Sequence, residues 1–251
     1  MRYRENIPLA VMSIISLAVL LLFGISEMAM RATPRQHDGC GGSQQPAILA
    51  IRADGFVAPC IPTRAAKAPA GVDWVHEIKH DGYRLIVRRD SETVRLFTRR
   101  GYDWTDRYPA VARAAATLRA KSLTIDGEAA VCGQDGVAMF DALHRRHKAT
   151  DALLFGFDLL ELDGEDLRPR PLGERKARLA KLLAPRAIAI VFNEHTDEDV
   201  AIVFRHACKL GLEGIVSNRL TAPYRSGPSR HWLKVKNPDS PAMVRHRKGE
   251  W

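Results

Sequence analysis

Residues 77–84 have the sequence Glu77-Ile78-Lys79-His80-Asp81-Gly82-Tyr83-Arg84 and follow a short apolar run. The β-prone composition of that run, with Trp74 and Val75, indicates a strand that ends at Lys79. Asp81 and Gly82 are typical of a turn, and an extended pattern resumes after them. The sequence therefore predicts strand, turn and strand, with Lys79 at the mouth of this unit, where a ligand can reach it. A surface hairpin with an ordinary solvated lysine is the alternative that these residues leave open.

The spacing around Lys79 matches a nucleotide-attachment signature, Lys-x-Asp-Gly-x-Arg, which ends here at Arg84. An amine attacks phosphorus only when it is deprotonated, so a nucleophilic lysine needs burial and neighbouring cations that lower its pKa. The sequence contains no Gly-x-x-x-x-Gly-Lys-Ser/Thr loop, the commoner device for holding ATP. If this chain uses a nucleotide, it therefore holds it in a different way.

Five further short motifs follow in the sequence. They are Thr98-Arg99-Arg100-Gly101, Asp126-Gly127-Glu128, the run from Leu154 to Gly164 that contains Phe157, Glu213-Gly214-Ile215-Val216, and Trp232-Leu233-Lys234-Val235-Lys236. Each residue also has an ordinary structural interpretation. Phe157 fits a core aromatic, Glu128 and Glu213 fit solvated carboxylates, and Lys234 and Lys236 fit the polar face of a half-buried strand. If none of these residues had a role in a site, all of the ordinary interpretations would have to be correct at once. That is a far stronger requirement than for any one of them to be correct alone.

In this order the motifs resemble those of the ATP-dependent DNA ligases, especially the bacterial end-joining type, and of the wider family of covalent nucleotidyltransferases. The resemblance implies that Lys79 attacks ATP and then carries AMP through a phosphoramide bond. It places Glu77 and Ile78 in the ATP site, with Glu77 beside the adenine. It also implies that Arg84 and Arg99 serve the ribose and phosphate end, and that Phe157 stacks on the purine.

The same resemblance implies a metal and a nucleic-acid substrate. Glu128 would contact the sugar and help to organise magnesium, Glu213 would serve the same ion, and Lys234 and Lys236 would hold the α-phosphate. AMP would then pass to the 5′-phosphate of nicked or broken DNA, and the neighbouring 3′-hydroxyl would displace it. The expected cosubstrates are thus ATP with Mg²⁺ and a DNA break, and the expected setting is DNA repair in the cytoplasm.

The charge of the chain favours a polyanionic partner. Its formal net charge is +9, with a sequence pI near 9.6. Between Glu213 and Asp239 there is no acidic residue, and Arg219, Arg225 and Arg230 are the expected contacts to DNA phosphates. A solvated basic face is the alternative interpretation.

The pattern of elements predicts an α+β fold with largely antiparallel sheets. This agrees with the two-sheet nucleotidyltransferase core that the resemblance implies. One helix is predicted from Pro109 to about Leu118, with the proline in its first turn. A second is predicted from about Asp197 to Leu210, with Thr196 as its N-cap.

The sequence suggests four segments, which are an apolar segment at 1–30, a linker at 31–53, the adenylation domain at 54–240 and a basic tail at 241–251. Residues 7–25 are long and apolar enough for a membrane anchor, and they also fit a signal peptide or a start codon assigned too early. The four cysteines are scattered and are expected to be free thiols in a reducing compartment.

Typical relatives follow the paired lysines with an oligonucleotide-binding barrel, which the residues after Lys236 are too few to form. A separate DNA-binding or end-joining partner is therefore expected to supply this function. Two alternatives to a DNA ligase core remain at this point. One is a non-catalytic nucleic-acid-binding module descended from a ligase, and the other is an RNA ligase or a capping-type nucleotidyltransferase.

Overall fold

A computed structural model describes residues 55–144, 149–184 and 188–249. The predicted apolar segment and linker, and with them Cys40, lie outside the described residues. Within the described ranges, no helix is both long enough and apolar enough to cross a membrane. Cys60, Cys132 and Cys208 are free thiols, as expected.

Two sheets and five α-helices build the described part of the chain. The strands are β1 (Cys60–Arg64), β2 (Trp74–Ile78), β3 (Tyr83–Asp90), β4 (Thr93–Thr98), β5 (Ser122–Ala130), β6 (Leu153–Leu162), β7 (Glu165–Asp166), β8 (Ile190–Phe192), β9 (His195–Thr196), β10 (Gly214–Arg219) and β11 (Gly227–Lys236). The helices are α1 (Pro109–Thr117), α2 (Phe140–His144), α3 (Leu172–Leu183), α4 (Val200–Lys209) and α5 (Pro241–Lys248). A short 3₁₀ turn at Thr105–Arg107 precedes α1.

The five-stranded sheet has the order β1-β11-β10-β2-β9, and the six-stranded sheet has β4-β3-β5-β6-β7 with β8 beside β6. Neighbouring strands are antiparallel except in the pairs β1 with β11 and β6 with β8. The prediction of an α+β fold with two largely antiparallel sheets is thus confirmed. A parallel pair needs a long crossover between its strands, and here most of the domain separates β1 from β11.

Two apolar clusters involve the six-stranded sheet, and a third, formed by Val200, Val203, Ala207, Ile215 and Val235, packs α4 against the five-stranded sheet. The larger lies where α1 and α3 cover the six-stranded sheet, and Leu85, Val87, Ile125 and Leu159 are fully buried there. The smaller cluster joins the two sheets, and its members are Cys60, Phe157, Leu160, Leu172, Tyr224 and Trp232. The sheets therefore meet through a small apolar contact rather than across a full sandwich face.

Strands β2 and β3 lie in different sheets, so the turn between them carries the chain from one sheet to the other. The hairpin alternative is wrong for this reason. Gly82 in the turn passes so close to β5 that an added Cβ would lie 2.1 Å from the carbonyl oxygen of Ala129. A residue without a side chain is required at this crossing, and Lys79 is thereby placed where the two sheets face each other.

The predicted helix at Pro109 is confirmed, because α1 begins at that proline and ends at Thr117. The start predicted for the second helix is wrong. Thr196 belongs to β9 and pairs with His76, and α4 begins at Val200. Its N-cap is Asp199, whose carboxylate accepts hydrogen bonds from the backbone N–H groups of Ala201 and Ile202 at 2.8 and 3.2 Å.

Candidate active site

A cleft of about 790 Å³ opens between the two sheets. Eight of the residues predicted for the site line it, namely Glu77, Ile78, Lys79, Arg84, Arg99, Glu128, Phe157 and Lys234. They come from β2, β3, β5, β6 and β11 and from the end of β4, so residues scattered over the sequence converge on one space. Glu213 is linked to this group by its contact with Lys79, and Lys236 by its contact with Glu213.

Lys79 directly follows β2 and is fixed at both its backbone and its side chain. Its backbone N–H donates to the carbonyl of Gly214 at 3.0 Å, and its ammonium donates to Glu213 Oε2 at 2.6 Å. Lys236 lies 3.1 Å from the other oxygen of Glu213, so one carboxylate is shared by two lysines. The nucleophile predicted from the sequence is therefore held by the first residue of β10 and by Glu213, the predicted metal carboxylate, directly before it.

The protonation state of Lys79 differs from the expectation. Burial lowers the pKa of its amine, but Glu213, Glu128 and Asp81 together outweigh burial, and the pKa ends above its usual value. The cations that were expected to lower this pKa are outnumbered by carboxylates. Lys79 is thus an ammonium in this state, and it must lose a proton before it can attack a phosphate.

Glu128 projects into the same space from β5. Burial raises the pKa of this carboxyl to about 7, against the opposing effects of Lys79 and Arg84 and with support from Glu213 and Asp126. The site therefore concentrates negative charge around one lysine. Glu128 and Glu213 repel each other when both are ionised, so a cation bound between them would relieve this repulsion.

Arg84 is locked against Asp126 of β5. Its Nε and one terminal nitrogen donate to the two oxygens of Asp126 at 2.8 and 2.7 Å. Tyr224 donates its hydroxyl to Asp126 Oδ2 at 2.6 Å and accepts from the backbone N–H of Cys60 at 2.9 Å. These contacts orient the guanidinium in the cleft. The roles of Asp126 and Tyr224 were not predicted from the sequence, since only the fold brings Tyr224 to this motif.

Phe157 is both a core residue and part of the cleft wall. It is 9% exposed and packs edge-on against Trp232 at 5.7 Å between ring centroids. The Arg84 guanidinium lies 4.8 Å from the centre of its ring. One ring therefore serves the apolar contact between the sheets and also forms part of the wall of the cleft.

Glu77 is buried at 3% exposure and satisfied by three partners. Asn193 and Asn218 donate their side-chain amides to it at 2.9 and 2.6 Å, and the Lys176 ammonium lies 2.7 Å away. None of the three partners was predicted from the sequence, and they lie in α3, in β10 and directly after β8. None of them belongs to a quoted motif, and each reaches Glu77 only through sheet pairing or helix packing.

The lysines of β11 occupy alternate positions on one face of the strand, as predicted. Lys234 lines the cleft, and burial, with the neighbouring charges of Lys79 and Lys236, lowers the pKa of its amine. Lys236 pairs with Glu213. These two ammonium groups bring positive charge to the edge of a carboxylate-rich site, where a phosphate could bind.

The three arginines predicted to contact DNA do not line the described cleft. Arg225 and Arg230 are exposed near and within β11. Arg219 at the end of β10 forms an ion pair with Asp73 at 3.2 Å. Arg219 therefore has an acidic partner in the fold, although no acidic residue lies between Glu213 and Asp239 in the sequence.

The donor set fits magnesium only as an ion that arrives with a nucleotide. Residues 55–144, 149–184 and 188–249 contain no group of three or more histidine, cysteine, aspartate or glutamate side chains that could hold a metal. Magnesium, however, is commonly held by one or two carboxylates together with substrate phosphates and water. Glu128 and Glu213 meet that requirement, although Glu213 would first have to loosen its contacts with the two lysines.

Known proteins match this chain over the same region. The family model described as ATP dependent DNA ligase domain matches residues 61–236. The multifunctional non-homologous end joining protein LigD of Pseudomonas aeruginosa is 40% identical over 185 residues, which cover 72% of this chain and 22% of that protein. The chain thus spans less than a quarter of this relative.

Solved structures give the same result. The crystal structure of the ligase domain of M. tuberculosis LigD matches with a TM-score of 0.63 at 33% identity, over 71% of this chain and 60% of that one. A mycobacterial DNA ligase D complexed with ATP and MES matches with a TM-score of 0.62, at the same identity and coverage.

Proposed function

Because this chain belongs to the family of ATP-dependent DNA ligase domains, we propose that it is the catalytic core of a ligase that joins DNA through a lysyl-AMP intermediate. The observation that carries the proposal is the position of Lys79. Its Nζ lies in a cleft beside Glu213 and Lys234, and Phe157 forms an aromatic wall of the same cleft. A nucleic-acid-binding module would not need a partly buried nucleophile and two acidic side chains at one point.

In the proposed first step, the Lys79 amine attacks the α-phosphorus of ATP. An N–P bond forms, the bond to the leaving pyrophosphate breaks, and AMP remains on the lysine. The amine has to give up a proton, and its existing 2.6 Å hydrogen bond to Glu213 directs that proton toward a carboxylate. A magnesium ion held by Glu128, Glu213 and the phosphates would neutralise oxygen charge and assist the departure of pyrophosphate.

The remaining cleft residues fit the parts of the nucleotide. Phe157 would offer its ring to the purine, and Glu77 and Ile78 of β2, which line the same cleft, would lie beside the base. Arg84, oriented by Asp126, and Arg99 would serve the ribose and the phosphate end. Lys234 and Lys236 would hold the α-phosphate. Positioning and charge stabilisation supply most of the catalysis in phosphoryl transfer, so a rigid set of this kind suits the reaction.

DNA is the proposed acceptor of AMP. The 5′-phosphate at a break would attack the lysyl-AMP, and the 3′-hydroxyl would then displace AMP to close the backbone. The net charge of +9 and the exposed Arg225 and Arg230 support binding to phosphates. The similar LigD proteins are named for non-homologous end joining, and we extend that role to this chain as part of the proposal. We add to it a cytoplasmic setting and a separate DNA-binding partner.

The test is a labelling experiment on the full chain. The protein is incubated with magnesium and α-labelled ATP or GTP, denatured, and examined for label that stays on the protein. We expect label from ATP, none in Lys79→Ala, and normal label in Lys181→Ala, which removes an exposed lysine of α3. A chase onto nicked DNA should release the label and seal the nick.

Other outcomes would contradict the proposal in recognisable ways. Label from GTP would favour a capping-type enzyme, and sealing of nicked RNA alone would favour an RNA ligase. A folded protein that takes no label but still binds nicked DNA would be a non-catalytic module.

A further inference from the structure

Helix α5, at Pro241–Lys248, begins and ends with well-defined caps. Ser240 is its N-cap and accepts a hydrogen bond from the backbone N–H of Met243 at 3.3 Å, and Pro241 occupies the first turn. Four basic residues lie in the last turn, where the helix dipole favours positive charge. The segment predicted as a basic tail thus contains a complete helix.

The start of α5 is tied to the segment that carries Glu213. Asn237 donates its backbone N–H to the carbonyl of Glu213 at 2.9 Å and its side-chain amide to Leu212 at 3.0 Å. Ser240 donates its hydroxyl back to the carbonyl of Asn237 at 2.9 Å. The direction of the helix is therefore set by the strand that holds the partner of Lys79.

The first turn of α5 lies against the loop that follows Lys79. Only about 20 Å³ of space remains between the two, in a gap lined by Lys79, His80, Asp81, Glu213, Pro241 and Ala242 among others. Ala242 is buried in this contact. A shift of helix α5 would therefore displace the loop that follows the nucleophile.

Arg245 connects the helix to this loop. Its guanidinium forms an ion pair with Asp81, two residues after Lys79, and both side chains are largely buried at 16% and 21% exposure. The same guanidinium lies 4.9 Å from the centre of the Phe140 ring. Both its charge and its flat face are thus engaged, which fixes this long side chain better than a single surface ion pair would.

We propose that Arg245 is a positioning residue for lysyl-AMP formation, a role that rests on the function proposed above. By holding Asp81, it fixes the turn that sets the direction of the Lys79 side chain, and it acts from outside the cleft. Without it, Asp81 would be a poorly solvated carboxylate near Glu213, free to turn toward the Lys79 ammonium. Arg245 itself lies outside the set of residues that line the cleft in the described structure.

The test compares Arg245→Ala, Arg245→Lys and Arg247→Ala in the full chain. Arg247 is exposed on the same helix, so its variant removes the same charge without the contact. In single-turnover labelling at saturating ATP, we expect Arg245→Ala to slow lysyl-AMP formation by about ten- to a hundredfold, since small misplacements of reacting groups cost that much. The KM for ATP should change less, Arg245→Lys should recover part of the rate, and Arg247→Ala should match the wild type.

A second reaction separates positioning from general damage to the fold. Closure of a nick that already carries AMP does not need Lys79 as nucleophile, so all three variants should perform it at the wild-type rate. An unchanged rate of lysyl-AMP formation in Arg245→Ala would overturn the inference. Equal losses in both reactions would also overturn it.

The contact can also be measured without any activity. The midpoints of thermal unfolding of Arg245→Ala, Asp81→Asn and the double variant should show non-additive losses, because the two side chains act as a pair. Additive losses would mean that the pair is not formed, and the inference would fail. If the wild type takes no label, the proposed function fails instead, and this cycle still reports on the contact.

Discussion

Glu213 is the residue on which the charges of the site converge. It lies between Lys79 and Lys236, with Oε atoms 2.6 and 3.1 Å from the two ammonium groups. Among the groups that raise the pKa of Lys79, Glu213 has the largest effect. Glu213 therefore orients Lys79 and also keeps its amine protonated. Binding of substrate has to lower the pKa of Lys79 before the amine can attack.

Glu213→Gln should make Lys79 more reactive toward a simple amine reagent while it abolishes or strongly slows lysyl-AMP formation. Loss of the carboxylate lowers the pKa of Lys79, so a larger fraction is the free amine at pH 8. The measurement is the rate of modification of Lys79 by mass spectrometry, with the exposed Lys181 as an internal reference. An unchanged ratio of the two rates would contradict the expected role of Glu213.

His80, next to the nucleophile, should make the fold sensitive to acid. Burial lowers the pKa of its imidazole to about 4, although Asn193 lies 3.1 Å away as a hydrogen-bond partner. In the unfolded chain the ordinary value near 6.5 applies, so the unfolded state binds the proton more tightly. Stability is therefore complete above about pH 6.5 and is lost as the pH falls toward 4, by about 2 kcal/mol at pH 5.

Urea unfolding at pH 7.5 and pH 5 measures this loss. We expect His80→Gln to be much less sensitive to this pH change than the wild type. His231→Gln, at an exposed position of β11, should keep the wild-type loss. Equal losses in the wild type and His80→Gln would show that another group causes the acid sensitivity.

The sequence predicted individual site residues better than their partners. Lys79, Glu128 and Lys234 belong to short motifs, whose spacing is visible along the chain. Lys176 reaches Glu77 from α3, which packs on β6 and β8, and Asn218 reaches it because β10 pairs with β2. Such long-range contacts leave no local pattern in one sequence, so the buried environment of Glu77 could not be predicted.

At the scale of elements, the passage from β2 to β3 determines the geometry of the site. Two consecutive strands enter different sheets, and the short loop between them carries Lys79, His80 and Asp81. The strands themselves were predictable from composition, whereas the sheet that each one joins was not. The same limit applied to α4, because Thr196, the predicted N-cap, pairs in β9 and the helix begins one turn later with Asp199 as its N-cap.

Gly82→Ala should destabilise the fold by about 3 kcal/mol, near the upper end for overpacking, because the carbonyl of Ala129 cannot move away as a flexible side chain would. The midpoint of chemical unfolding measures the effect. Gly173→Ala is the matched control, since Gly173 lies in α3 with no atom closer than 3.7 Å to an added Cβ. That control should be neutral or slightly stabilising. A wild-type midpoint for Gly82→Ala would mean that the loop has room to move.

At the scale of the whole molecule, two sheets share a cleft and meet through a small apolar cluster. Six motifs in order were enough to predict the fold class, since they identified a family whose core has two sheets. The carboxylates and lysines of the cleft lie inside a chain with a net charge of +9. We therefore expect substitutions on the surface to change the attraction of DNA without changing the chemistry in the cleft.

Binding of nicked DNA should weaken steeply with salt, and the double variant Arg225→Ala/Arg230→Ala should reduce the slope of log Kd against log salt by about 2, roughly one for each phosphate contact. Fluorescence anisotropy over a series of salt concentrations gives this slope. The matched control is Arg113→Ala/Lys181→Ala, which removes two exposed charges from α1 and α3. If both double variants reduce the slope equally, net charge alone governs binding.

The parallel contact between β1 and β11 has a consequence for biosynthesis. Cys60 pairs with Gly227, and Ile78, next to the nucleophile, pairs with Ile215. When the ribosome has made β1, β2 and Lys79, it has not yet made β11 and β10, with which β1 and β2 pair. The five-stranded sheet can close only after β11 has been synthesised, so the cleft that holds Lys79 cannot be complete before the ribosome has passed Lys236.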